Sequence, residues 1–123
     1  YENPFWREMG LSGDAMSRFG PMVEIHDATD QASNMGALFG FVGVPADARA
    51  GQEDVLKNAA IEQLVRIFGP KAENPLELLY QDWAVEPETA TKDDLVPMYE
   101  HPAYGLPPAA KNLWGQSLVL WID

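Results

Sequence analysis

Two stretches, Pro21-Met-Val-Glu-Ile-His-Asp27 and Gly36-Ala-Leu-Phe-Gly-Phe-Val-Gly-Val44, decide the fold class. In the first, apolar Val23 and Ile25 alternate with polar Glu24 and His26, the period of a strand with one face buried. The second is almost wholly apolar and reads as a central strand. Gly40 and Gly43 inside it mark the close approach of another backbone or of a ligand. Its glycines also suggest a phosphate-binding loop. The spacing GxxxGxxG is neither the dinucleotide fingerprint nor a P-loop, so the strand reading is kept.

Working outward, a helix follows the second strand. Glu53 and Asp54 suit its positive N-terminal end. Leu56, Ala60, Leu64 and Ile67 form an apolar stripe, widened by Ile61, Val65 and Phe68, while Lys57, Asn58, Glu62 and Arg66 take the wet side. Gly69-Pro70 ends it. This helix reads as core packing with no catalytic part. Leu76 to Val85, carrying Tyr80 and Trp83, reads as another strand, and Pro87 to Asn112 as a long Pro-rich loop. Leu118-Val-Leu-Trp-Ile122 is a continuous apolar run, the pattern of a strand buried on both faces. The coarse order is strand, strand, strand, helix, strand, long loop, strand. It predicts an α+β fold, a mixed and mostly antiparallel sheet with one main helix. An apolar strand at one end and bulky Tyr1 to Trp6 at the other read as severed ends, so the chain is expected to be part of a larger polypeptide. Apolar surface around Trp114 to Ile122 would then be exposed, and self-association by strand exchange is expected.

Composition narrows the function. The 123 residues allow one domain at most. A net charge of -11, from 19 acidic and 8 basic residues, argues against nucleic acid and against anionic membrane surfaces. The same field attracts a cationic small molecule, although acidity also serves solubility alone. There is no cysteine, which excludes disulfides, thiolate metal sites and thiol nucleophiles. His26 and His101 lack the spacing of a helical metal site, so no metal is expected. No apolar run is long enough for a membrane span and no signal peptide is visible. The compartment stays unknown, with a soluble, cytoplasmic placement favoured.

Five motifs together are familiar. Tyr1-Glu-Asn-Pro-Phe-Trp-Arg7, Ile25-His-Asp-Ala-Thr29, Gly36-Ala-Leu-Phe-Gly-Phe41, Tyr80-Gln-Asp-Trp83 and His101-Pro-Ala-Tyr-Gly-Leu-Pro-Pro108 resemble, in order, the flavin-containing monoamine oxidase family. The resemblance covers essentially the whole chain. It implies a parent enzyme that oxidises an amine to an imine by hydride transfer to FAD, with dioxygen as the usual reoxidant. Residues 1–123 would be part of its substrate-binding domain, within a larger two-region flavoprotein. The Rossmann fingerprint is absent from them, the family's lysine would fall a few residues before Tyr1, and the C-terminal flavin segment would begin after Asp123. The fragment would therefore hold no catalytic residue, bind no FAD and turn nothing over alone.

The resemblance also assigns residues. Trp83 matches the family tryptophan beside the flavin, against the plain reading of a core tryptophan. Thr91 lies where some relatives carry a flavin-linking cysteine, so the FAD is expected to be non-covalent. Glu24 and His26 would line the substrate cavity, where a carboxylate could hold the distal ammonium of a diamine or polyamine. The plain alternative is that both face solvent. Tyr104 would brace the cavity wall, or belong to ordinary turn chemistry in His101-Pro-Ala-Tyr-Gly105. The competing functional reading is a non-catalytic α+β interaction module derived from such an oxidase.

Overall fold

A computed structural model describes residues 1–95. Three strands, β1 (Ala15–Met16), β2 (Met22–Asp27) and β3 (Leu38–Val42), form a sheet in the order β1-β2-β3 with both pairings antiparallel. Three helices accompany it: α1 (Phe5–Glu8), α2 (Ala46–Arg49) and α3 (Glu53–Phe68). The α+β class holds, and the sheet is antiparallel throughout the described residues rather than mixed. The Pro-rich stretch runs mostly beyond residue 95 and, with Tyr104 and Leu118–Ile122, lies outside the described residues.

The helix is where its apolar stripe puts it. Leu56, Leu64 and Phe68 are buried, and Ala60, Val65 and Ile67 lean on the same core. Phe5 and Trp6 of α1 come in beside them, together with Met22 and Ile25 from one face of the sheet. Tyr1 and Trp6 each meet Phe5 edge-on at 5.2 Å, and Trp6 lies tilted against Phe68 at 6.3 Å. Gly69 adopts φ +85°, a left-handed value that closes the helix by returning its N–H to the Val65 carbonyl.

Strand β2 departs from simple alternation. Its register against β3 skips at Val23, a bulge between Met22 and Glu24. The extra residue turns Met22 inward alongside Ile25, and leaves Val23, expected inside, 44% exposed. A bulge costs ladder hydrogen bonds, and a side chain replaces them here. Gln63 of α3, fully buried, donates from Nε2 to the Met22 carbonyl (2.7 Å) and accepts the Met22 N–H on Oε1 (2.9 Å). The two glycines of the β3 region serve the same feature. A Cβ on Gly40 would collide with the Met22 side chain and one on Gly43 with that of Val23. The expected close approach is thus by neighbouring side chains.

One expected strand is absent. Leu76 to Asp82 runs without regular structure and ends in a 3-10 turn over Trp83–Val85. Nothing within residues 1–95 lies beside it to complete a ladder, so its strand-forming composition goes unused. The segment is held by its end. Arg49 of α2 grips Asp82 with two parallel bonds, Nε to Oδ2 (2.8 Å) and Nη2 to Oδ1 (2.6 Å), and gives Nη1 to the Val44 carbonyl (2.7 Å). That guanidinium holds the Asp82 carboxyl below the usual carboxylate range.

Candidate functional site

Because β2 alternates beyond the bulge, Glu24 and His26 leave the sheet on the face opposite Ile25, directly across from Phe41 and Phe39. This outer face is uncovered. Phe39 and Phe41 are 49% and 51% exposed and meet edge to face at 4.7 Å. The His26 ring stands edge-on to Phe41 at 6.2 Å. Asp14, just before β1, completes the group. His26 Nδ1 lies 3.3 Å from Asp14 Oδ1, and Nε2 lies 3.6 Å from Glu24 Oε2. An imidazole between two carboxylates, beside two phenyl rings, has the ingredients of a site for an organic cation: charge to pair with an ammonium, and aromatic surface for its carbons.

Glu24 and His26 are thus brought together, as their shared face predicts. Asp14 was missed, since it lies outside the alternating stretch and only the β1–β2 pairing carries it there. Trp83 sits apart from that pair. Two-thirds exposed, it lines a cavity of about 1060 Å³ between β3 and the Pro75–Trp83 segment. It is no core tryptophan. Phe39 and Phe41 line the same cavity and so join the two regions. Thr91 is exposed and does not line it.

The opposite face is closed around a third carboxylate. Asp27 Oδ2 accepts hydrogen bonds from Trp6 Nε1 (2.9 Å) and Arg7 Nε (2.8 Å), and Oδ1 accepts from the Thr29 N–H (2.9 Å). Burial pushes the Asp27 carboxyl up, but the donors of Thr29, Trp6 and Arg7 together outweigh it and hold the group far below the usual carboxylate range. Both oxygens are engaged from within, so this carboxylate is structural. Among the described residues no group of His, Asp and Glu is arranged to hold a metal, and no helix is long and apolar enough to cross a membrane.

Comparison with known proteins defines the class to which this chain belongs. The family model for flavin containing amine oxidoreductases matches residues 1–116, and the chain belongs to that family. Among curated proteins it is similar to a probable flavin-containing monoamine oxidase A of Dictyostelium discoideum, 32% identical over 88 residues that make up 70% of this chain and 19% of that one. It is also similar to the putrescine oxidase of Kocuria rosea, 28% identical over 130 residues, covering 95% of this chain and 26% of that one. A solved putrescine oxidase, the wild type bound to putrescine, superimposes with a TM-score of 0.63 at 37% identity, over 72% of this chain and 20% of its own. The chain thus spans about a fifth to a quarter of the length of the relatives it matches.

Proposed function

We propose that residues 1–123 are part of the substrate-binding domain of an FAD-dependent amine oxidase, and that the outer face of its sheet binds a cationic amine, a diamine or polyamine among the candidates. The observation that carries this reading is Glu24 beside Phe39 and Phe41, with His26 between Glu24 and Asp14. In the free protein the His26 ring lies between the two carboxylates, and a substrate ammonium can pair with the same carboxylates. The solved relative's binding of putrescine, a diamine, supports that substrate class.

The flavin fits only partly. Trp83 offers a broad aromatic face at the cavity rim, suited to stand beside a flavin ring. The well-formed helix start in the described residues, that of α3, carries Glu53 and Asp54 and repels a pyrophosphate. The phosphates are therefore held by the rest of the longer protein. A flavin supplies the two-electron acceptor for converting amine to imine, and no cysteine is present here to bind it covalently. Thr91 and Tyr104 keep the roles that the resemblance gives them.

The test is Glu24→Gln in the full-length protein, which keeps shape and removes charge. A charge-assisted hydrogen bond to a desolvated ammonium contributes about 1.5–3 kcal/mol. Catalytic efficiency on a diamine should fall about ten- to a hundredfold, while a monoamine of matched length, lacking the second ammonium, loses little. An unchanged diamine-to-monoamine ratio would show that Glu24 merely faces solvent.

A further inference from the structure

Trp83 reaches the cavity rim without a hold of its own. Its ring is two-thirds exposed, and among the described residues no hydrogen bond or ring contact fixes it. What places it is the backbone turn that carries it. Asp82 opens that turn, its Oδ1 accepting the Ala84 N–H (3.1 Å), so that the chain folds around Trp83. The same carboxylate is the one that Arg49 grips. Arg49, Asp82 and Trp83 all line the cavity.

Arg49 is itself immobilised. Its Nε and Nη2 go to Asp82 and its Nη1 to the Val44 carbonyl, so each nitrogen of the guanidinium is committed. The pair is largely shielded from water, unlike the exposed pairs Glu53–Lys57 and Glu8–Lys71, whose hold is weak. Two parallel bonds from a planar fork fix an angle as well as a distance. Val44 follows β3 by two residues, and the Gly43 N–H beside it donates to the Pro21 carbonyl (2.9 Å), tying this stretch to the sheet. A short and rigid path therefore runs from Phe41 through Val44, Arg49 and Asp82 to Trp83.

We propose that Arg49 is a positioning residue: through Asp82 it sets where the Trp83 ring stands relative to Phe39 and Phe41, and so spaces the flavin side of the cavity from the amine side. This role rests on the reading of Trp83 as a flavin neighbour and of the Phe39–Phe41 face as the amine site. Turnover is sensitive to such spacing, since a misplacement of about 1 Å can lower the rate about a hundredfold. Capture of the amine is not. Glu24 belongs to β2, and its pairing with His26 shares no atom with the clamp. Loss of Arg49 should therefore lower kcat and spare KM.

The test is a double-mutant cycle in the flavin-loaded full-length enzyme, read by the visible flavin spectrum and by kcat and KM on a diamine. Trp83→Ala should displace the flavin band. Arg49→Gln should displace it too and lower kcat about ten- to a hundredfold, with KM held within about twofold. In the Trp83→Ala background Arg49→Gln should cost no more than about twofold further, since nothing is left for it to position. If Arg49→Gln does not fold, Asp82→Asn takes its place in the cycle, because it keeps the acceptor for Ala84 and spoils the fork. Losses that multiply in the double variant would overturn the proposal, as would lower thermal stability with spectrum and kcat unmoved. Either result, with Trp83→Ala still altering the spectrum, leaves Trp83 beside the flavin and removes only the role of Arg49. A spectrum and a kcat both indifferent to Trp83→Ala would sink the two together.

Discussion

The two faces of β2 use neighbouring residues for opposite ends. On the inner face, Ile25 is sealed against Trp6 and Phe68, and Asp27 has each oxygen committed to a donor of the fold. On the outer face, among the described residues, His26 pairs with Glu24 and with Asp14, beside two half-exposed phenyl rings. Both faces hold carboxylates and aromatic rings, so composition does not separate them. What separates them is whether the polar groups are already satisfied. A saturated carboxylate holds the fold together; an unsaturated one beside aromatic surface is free for a ligand.

That contrast breaks most easily at Trp6. Replacing this fully buried ring by Ala opens a cavity and strips Asp27 of a donor, and should cost about 3–5 kcal/mol in denaturant unfolding. The outer-face counterpart, Phe41→Ala, should cost about 1 kcal/mol or less. Comparable losses would erase the distinction between the faces. Next comes Gln63→Leu, which strands the Met22 N–H and carbonyl in the core, at about 3 kcal/mol by the same measurement.

Asp27→Asn should cost about 2 kcal/mol at neutral pH, and its pH dependence has a definite sign. The folded carboxyl titrates far below the unfolded one, so its contribution is complete above the ordinary carboxylate range and is lost as pH falls. The stability gap between the native protein and Asp27→Asn should narrow steadily from about pH 5 towards pH 2. A gap that stays constant across that range would mean that Asp27 acts by shape alone. The smallest effect is expected at Glu24, where Gln should shift stability by less than about 0.5 kcal/mol while altering substrate preference. A large loss of stability there would place Glu24 with the structural carboxylates.

Much of this was legible in the sequence, for reasons that follow range. The stripe from Leu56 to Phe68 is a local pattern, and so is the alternation that sets Glu24 and His26 on one face. The bulge at Val23 was not legible, because it depends on Gln63, a residue 41 positions from the Met22 that it binds. One signal was available: Gln63 is a polar residue set within the apolar stripe, between Ala60 and Leu64. Asp14 and the Trp6–Asp27 bond are likewise matters of tertiary approach. The strand expected over Leu76–Val85 failed for a related reason, since strand composition needs a neighbour before it becomes a strand.

The bulge also bears on how this face can change through evolution. A one-residue slip in an ordinary strand turns every following side chain to the other side of the sheet. Here the discontinuity at Val23 divides β2 in two. Residues from Glu24 onward keep their own register against Phe41, Gly40 and Phe39, whatever happens in the turn between Met16 and Met22. An insertion or deletion in that turn can be absorbed at the bulge without rotating Glu24 or His26 inward. The loop is thereby free to diversify in length while Glu24 and His26 stay in place.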